Sequence, residues 1–329
     1  MPQQIIQSVH MDAHESLFFS RQLEHIKATV YEKKYPELKA LRLIPVTTET
    51  PAGALYVTWR LYDSVGVAKL IANYADDLPR VDVYGKEFHS TIHEIGVAYG
   101  YSIKDIKAAQ YAGMPLESKK ANAARMAIEQ TMERLAWFGD TPANVPGFFY
   151  NPNVNHILAA DAVVSGTDTR WCTALGVPTK TQDEILQDMN AAVNQVWTST
   201  KGIHQANTML LPLDKYAQIN SRARSATSDI TILQFFKRNH PEIITIEPVN
   251  QCNDLVGEGH AAVIGGAVDS TSIMVVYKRD PDIVELEIPE PFHQLPAQPR
   301  NLTFIIDCLA SFGGAIWREP LACSITEGI

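Results

Sequence analysis

Residues 83–140 carry the clearest secondary-structure signals in the chain. Their sequence is VYGKEFHSTIHEIGVAYGYSIKDIKAAQYAGMPLESKKANAARMAIEQTMERLAWFGD. Its first part alternates between apolar and polar side chains over residues 86–98, which is the period of a β-strand. Ser102, with Asp105 three residues later, matches a capping box and predicts a short helix over residues 103–112. Gly113, with Pro115 beyond it, ends that helix. The stretch therefore begins as a strand, a short helix and a turn.

The strongest helix signal in the chain follows at residues 118–138. Strong helix formers fill it, and Gly139 ends it. At 1.5 Å per residue such a helix is roughly 30 Å long, so it needs a long surface to cover, such as a sheet. Glu133 falls off the apolar stripe, and we expect Arg125 to pair with Glu129 on the outer face. The stripe consists of Ala121, Ala124, Ile128, Met132, Leu135 and Phe138.

An alternating segment at residues 54–63 precedes this stretch. Leu55, Val57, Trp59 and Leu61 face one way, and the side chains between them face the other. Together with the strand at 86–98 this segment predicts a long protruding hairpin, and connections of such length usually serve a function. Pro79 keeps its tip, about residues 64–82, from pairing as a regular strand. The charged residues of the tip are Asp76, Asp77, Arg80 and Asp82.

The second half of the chain mixes short strands with helices. Residues 141–180 are rich in Pro, Gly, Asn and Thr and predict irregular backbone. Thr181 and Glu184 form a second capping box in front of a helix. Gly313 and Gly314 bend a final apolar segment over residues 302–319. The expected helices are about 182–199, 213–221 and 229–239, and the expected strands are 207–212, 242–249, 261–265, 272–278 and 283–288.

The N-terminal segment is amphipathic over residues 16–41, with an interruption at Pro36. Residues 20–42 hold six basic side chains, including Lys33 and Lys34, against three acidic ones. So long a piece before the first strand either folds back onto its own domain or reaches a neighbouring subunit. Both alternatives are compatible with the sequence.

Composition excludes several classes of protein. Hydrophobic residues make up 46% of the 329 residues, which is enough for one large domain or two ordinary ones. A formal net charge of -9 argues against a protein that mainly grips phosphate backbones. Four isolated cysteines disfavour a zinc knuckle or a disulfide scaffold and suit a reducing cytoplasm. We expect no signal peptide and no membrane-spanning segment.

A search for catalytic and binding motifs predicts no catalytic residue, no cofactor and no metal ion. His89 and His93 would share a strand face, but HExxH fails at Val97, so an ordinary strand is favoured over a two-histidine metal site. Cys172 has no identifiable histidine partner and is expected to be structural. Three further segments have ordinary explanations. The sequence GEGH at 257–260 is only a fragment of a phosphate-binding loop, and residues 166–168 are expected to form a turn. The aromatic run at 148–150 is expected to lie in the core or in a subunit contact rather than to stack on single-stranded nucleic acid.

The order of these elements resembles that of the tailed-bacteriophage major capsid proteins with the Hong Kong 97-type fold, in their encapsulin-like group. The resemblance is carried by residues 83–140, most specifically by the run from Glu87 to Gly100 and the helix pair after it. The ending AIWREPLACSI, residues 315–325, is similar to the basic-proline-apolar close of many such chains. The resemblance covers nearly the whole chain.

This resemblance implies an α+β fold with four named parts. They are an N-terminal arm at 1–45, an extended loop (E-loop) at 50–92, a peripheral P-domain at 93–150 and 283–329 with a spine helix at 118–138, and an axial A-domain at 151–282. It implies a major capsid protein, not an enzyme, that assembles into pentamers and hexamers of an icosahedral shell around a double-stranded DNA genome. An exposed hairpin supports this independently, because a repeated neighbour can cover its edges.

The partners implied are other copies of the chain, together with scaffold, portal and decoration proteins. Packaged double-stranded DNA would be contacted non-specifically, and no membrane is involved. The location implied is the virion, after assembly in the host cytoplasm. The alternatives are an encapsulin-type nanocompartment shell, which needs a cargo protein, and a soluble α/β enzyme that uses His89 and His93. The candidate assembly residues are Asp76, Asp77, Arg80, Asp82, Lys33 and Lys34.

Overall fold

The structure of the protein is a computed structural model that describes residues 36–70, 78–112, 116–163, 166, 168–173, 176–225, 227–253 and 272–329. The chain divides into two units, residues 1–37 and 38–329. The architecture below is that of the second unit.

This unit combines helices with runs of consecutive strands in an α+β fold. The helices of the described residues are α1 (Ala40–Leu43), α2 (Ile103–Ala112), α3 (Leu116–Phe138), α4 (Gln182–Ser199), α5 (Leu213–Ser221) and α6 (Ile232–Asn239). The strands are β1 (Val46–Thr47), β2 (Tyr56–Val65), β3 (Asp82–Thr91), β4 (His93–Ser102), β5 (Asn155–Leu158), β6 (Thr208–Leu211), β7 (Thr245–Pro248), β8 (Ile273–Tyr277), β9 (Val284–Glu287), β10 (His293–Gln294), β11 (Gln298–Arg300), β12 (Thr303–Phe312), β13 (Gly314–Trp317) and β14 (Cys323–Glu327).

The predicted hairpin is confirmed. β2 and β3 pair antiparallel from Tyr56 opposite Thr91 to Val65 opposite Asp82. β3 ends one residue before Ile92, and β4 then leaves the hairpin and pairs with β12 over ten residues. The single strand expected at 86–98 is therefore two strands with different partners. The inward side of the alternation shifts at this break, from Phe88 and Ser90 in β3 to Ile95 and Val97 in β4, and the expectation of one continuous strand overlooked that shift.

Both predicted capping boxes are present. Ser102 Oγ accepts a hydrogen bond from the Asp105 amide at 3.0 Å, and the Asp105 carboxylate accepts one from the Ser102 amide at 3.1 Å. These hydrogen bonds lower the pKa of Asp105. Thr181 and Glu184 make the same reciprocal pair at the start of α4. Local sequence alone thus determines where α2 and α4 begin.

A five-stranded sheet separates the two hydrophobic cores of the unit. Its strand order is β5-β14-β8-β6-β7. One face, with Leu210 and Val275, joins the core that contains α3, while the other, with Met209 and Val276, joins the core that contains α4 and α6. Alternate side chains of each central strand thus enter different cores, which explains why these strands read as continuous apolar runs.

The last strand of the chain occupies a position that the sequence did not indicate. β14 lies between β5 and β8, parallel to β5 and antiparallel to β8. The expected division assigned all of residues 283–329 to the P-domain and residues 151–282 to the A-domain. β14 completes the sheet whose other strands lie within residues 151–282, and the division into P-domain and A-domain stays a prediction.

The spine helix α3 buries the predicted stripe but differs from the prediction at one residue. Ala124, Ile128, Met132, Leu135 and Phe138 are buried, and Ala121 is half-buried. The predicted pair between Arg125 and Glu129 is present at 2.7 Å. The helix thus covers a core along most of its length, as the spacing predicts.

Glu133 is the exception, because the expectation that it lies on the outer face is wrong. Only 5% of its surface is exposed. Its carboxylate accepts hydrogen bonds from the amides of Lys39 and Ala40, each at 2.9 Å, and from Trp137 Nε1 at 2.8 Å. Glu133 therefore holds the amino end of α1 against α3, where a negative charge also complements the helix dipole.

Gly139 ends α3 as predicted. Its φ is +69°, and a Cβ there would lie 2.4 Å from the carbonyl oxygen of Val145, so only glycine fits. The returning chain places Phe149 on Trp137, with ring centroids 4.9 Å apart, and Phe148 on Trp317 at the same separation. Both phenylalanines are buried, which confirms that this aromatic run belongs to the core.

We predict that Glu133→Ala destabilises the subunit by about 3 kcal/mol or more, because it leaves three buried N–H donors without an acceptor. Glu129→Ala is the matched control on the same helix, and loss of its exposed pair costs within about 0.5 kcal/mol. Chemical unfolding of both variants measures the difference. Equal stabilities would contradict the role assigned to Glu133.

Candidate subunit-contact surfaces

The two faces of the hairpin differ near its root, as the alternation predicts. Trp59 and Phe88 stack on the face directed toward the body, with ring centroids 5.8 Å apart. On that face the buried Ser90 donates a hydrogen bond to the carbonyl of Gly313 at 3.0 Å. The opposite face is exposed and carries an ion pair between Arg60 and Glu87 at 2.7 Å. The root is thus fixed to the body by one face only.

Farther from the root, both faces are exposed and rich in apolar side chains. Leu70 is 97% exposed, which is unusual for a leucine in an isolated fold. A two-stranded ribbon has no core of its own in which to bury such side chains. The large apolar residues exposed here, which we call the distal apolar patch, are Tyr62, Val65, Val67, Leu70, Leu78, Val81, Val83 and Tyr84.

The charged residues proposed from the sequence are only partly placed by the structure. Arg80 and Asp82 are exposed beside the distal apolar patch, and Asp82 opens β3 opposite Val65. Asp76, Asp77, Lys33 and Lys34 lie outside the described residues. Sequence reasoning missed the apolar residues around the tip. The sequence contains a sign of this surface, because the segment interpreted as a loop includes the apolar residues Val67 and Leu70.

A cleft of about 760 Å³ lies between the hairpin root and the body. Trp59, Leu61 and Phe88 line it from the hairpin, and segments 140–153 and 315–321 line it from the body. The lining includes the exposed Leu61 and the charged Arg318, so the cleft combines apolar and polar groups. Such a surface is suited to an extended chain segment.

The segment that leads from the N-terminus into the body is tightly held. Arg42 makes a bidentate ion pair with Glu247 at 2.9 and 3.1 Å, and Tyr277 Oη donates to the carbonyl of Leu43 at 2.7 Å. Arg279 donates to the carbonyl of Arg42 at 2.6 Å, and β1 continues by pairing with β9. Residues of α1 are thus part of the core, and the division between units falls after Glu37, while the N-terminal arm at 1–45 stays a prediction.

The features weighed for an enzyme do not form a site in the described residues. His89 and His93 lie on different strands, opposite Thr58 and Phe312. Asp168 is paired with Arg170 at 2.8 Å, which lowers the pKa of Asp168 and explains the turn without a cation. Among the described residues, no cluster of three or more histidine, cysteine, aspartate or glutamate side chains could hold a metal ion. GEGH at 257–260 lies outside them.

None of the helices in the described ranges combines the length and the apolar character needed to cross a bilayer.

Solved structures with the same arrangement are phage and phage-like capsids. The capsid of the Myoviridae phage XM1 matches with a TM-score of 0.76 at 16% identity, over 95% of this chain and 99% of that one. A chain of Mycobacterium phage Ogopogo matches at 0.59 and 11% identity, over 95% and 99%. The capsid of a native GTA particle matches at 0.58 and 8% identity, over 94% and 96%. The fold is thus the Hong Kong 97-type fold of phage capsid subunits.

The sequence itself gives the family. A family model described as major capsid protein matches residues 66–329. No curated protein matches the chain. The chain belongs to the major capsid protein family and is therefore a shell-forming major capsid protein.

We predict that removing residues 1–44 lowers the melting temperature of the subunit further than removing residues 1–37 does. The longer deletion removes the buried Leu43 and Ile44, and each such side chain contributes about 1.5–3 kcal/mol by burial. Circular dichroism melting of the two truncated proteins beside the full chain measures this. Equal melting temperatures for both truncations would show that α1 does not belong to the core.

Proposed function

We propose that this subunit builds pentamers and hexamers of a closed icosahedral shell by laying its hairpin over a neighbouring copy, and that the shell encloses double-stranded DNA. The observation that carries the proposal is the distal apolar patch. Among the described residues these side chains enter neither hydrophobic core, and a second copy of the chain can bury them.

The size of the effect favours assembly. Full burial of a leucine or valine side chain contributes about 1.5–3 kcal/mol, and the patch contains several such side chains. Even partial coverage exceeds what an exposed ion pair such as Arg60 with Glu87 contributes, which is about 0–1 kcal/mol. The apolar residues therefore supply most of the affinity, and the charged Arg80 and Asp82 adjust orientation.

The geometry of the contact favours rings. A hairpin that covers a different surface of its neighbour makes a heterologous contact, in which each subunit both gives and receives. Such contacts close into rings when the rotation between subunits divides a full turn. Pentamers and hexamers with the same contact differ only slightly in that rotation, which a ribbon fixed at its root alone can accommodate.

The interior of the proposed shell needs no sequence-specific contact with DNA. The basic residues of segment 20–42, Lys33 and Lys34 among them, offer a modest positive charge, while the whole chain carries -9. Phosphate contacts of that kind hold a duplex without reading its sequence. Assembly in a reducing host cytoplasm agrees with four cysteines that are all free and buried. Scaffold, portal and decoration proteins remain partners that the resemblance alone implies.

Electron microscopy and light scattering of the purified full chain test the proposal. We expect closed shells of uniform diameter. The variant Leu70→Ala/Leu78→Ala should keep its circular dichroism spectrum but need at least about tenfold more protein to assemble, since 1.4 kcal/mol corresponds to that factor.

The matched control is Asp63→Ala/Ser64→Ala, which removes polar groups from the same ribbon and should assemble like the parent. Full chain that stays monomeric at every protein and salt concentration would contradict shell formation. Shells that form equally well from the leucine variant would contradict the role of the hairpin.

A further inference from the structure

A cysteine and a lysine meet inside the subunit, away from the contact surfaces. Lys215 Nζ lies 2.9 Å from Cys172 Sγ. Lys215 is 4% exposed and Cys172 is 6% exposed. The cysteine lies in the irregular segment 168–180, and the lysine lies in the first turn of α5. The amine therefore contacts the thiol with little access for bulk water.

The surrounding contacts fix this pair in place. Gln218, one turn along α5 from Lys215, donates to the carbonyl of Trp171 at 3.3 Å, and Arg222 donates to the carbonyl of Lys180 at 2.9 Å. Lys215 and Gln218 share one face of α5, and Arg222 follows directly after the helix, so the helix and its C-cap together bind the residues around Cys172. The fully buried Trp171 further fixes the segment by donating to Asp188 at 2.8 Å.

The charges around the pair distinguish Cys172 from the other three cysteines. Burial raises the pKa of Cys252, Cys308 and Cys323, which keeps them as unreactive thiols. Cys172 instead has the Lys215 amine in contact with its sulfur, and such a nitrogen can condense with a sulfenic acid once the sulfur is oxidised. The Asp214 carboxylate also lies 3.3 Å from Lys215 Nζ, on the exposed side. It can take part in proton transfer from the lysine.

We propose that Cys172 and Lys215 form a covalent sulfenamide when the protein meets hydrogen peroxide. The thiolate attacks one peroxide oxygen, the O–O bond breaks, and Cys172 becomes a sulfenic acid with release of one water. The neutral lysine nitrogen then attacks Sγ, an S–N bond forms, and the S–O bond breaks to release a second water. Thiolate, ammonium and one peroxide thus give the S–N link and two waters, with sulfur oxidised by two electrons and the peroxide reduced.

This cross-link would close the chain between residues 172 and 215. It would tie the irregular segment 168–180 to α5 without moving either, since the reacting atoms already touch. Cross-links of this kind stabilise a fold mainly by restricting the unfolded chain. A shell protein that leaves the reducing cytoplasm would gain the link where no reductant restores the thiol. The chemistry lies within one subunit and does not depend on the shell contacts proposed above.

Mass spectrometry of the full chain before and after brief hydrogen peroxide treatment tests the proposal. We expect a product lighter by about 2 Da, the two hydrogens lost in the S–N link, that dithiothreitol returns to the parent mass. Digestion should give a peptide pair joined through Cys172 and Lys215. Cys252, Cys308 and Cys323 serve as internal controls and should stay reduced.

Cys172→Ser and Lys215→Met should abolish the joined peptide, while Lys237→Met, which changes an exposed lysine, should leave it unchanged. If Lys215→Met does not fold, the joined peptide in the unaltered chain still decides the matter. Oxidation of Cys172 to sulfinic or sulfonic acid without a link would overturn the proposal. A joined product that retains an oxygen atom would overturn the direct S–N bond, and an unmodified Cys172 would overturn its reactivity.

Discussion

The ten-residue pairing of β4 with β12 is the interaction on which the rest of the subunit depends. It joins the segment that ends the hairpin to a strand near the C-terminus, and α3 packs over both strands. Because only Ile92 separates β3 from β4, this pairing also fixes the direction in which the hairpin leaves the body. The body is therefore rigid where the hairpin begins, and the hairpin is free of the body where its apolar residues lie. The subunit thus combines a stable core with an exposed apolar surface on the hairpin.

Glu133 provides a second fixed point, at the other end of the same core. A buried carboxylate is costly unless donors surround it, and here two backbone amides and an indole do so. The result is that the chain enters the body at one defined place, through α1, before it reaches the hairpin. The hairpin and the segment that follows residue 37 thus both join the body at positions held by α3.

Local features could be predicted from the sequence, and long-range features could not. The capping boxes at Ser102 and Thr181 and the stripe of α3 depend on residues three or four apart, so the pattern is visible in the chain itself. The burial of Glu133 depends on amides more than ninety residues away in the sequence. Its charge therefore predicted an exposed position, which is wrong. The same holds for β14, whose neighbours in the sheet come from distant segments, and for Lys215, whose contact with Cys172 spans 43 positions.

Hydrogen exchange measured on shells and on unassembled subunits tests whether a neighbouring copy covers the hairpin. An isolated two-stranded ribbon opens easily, so amides of residues 56–65 and 82–91 should exchange fast in the free subunit. They should become protected in the shell, whereas the amides that join β4 to β12 should be protected in both. Hairpin amides that exchange at the same rate in shell and subunit would contradict the account.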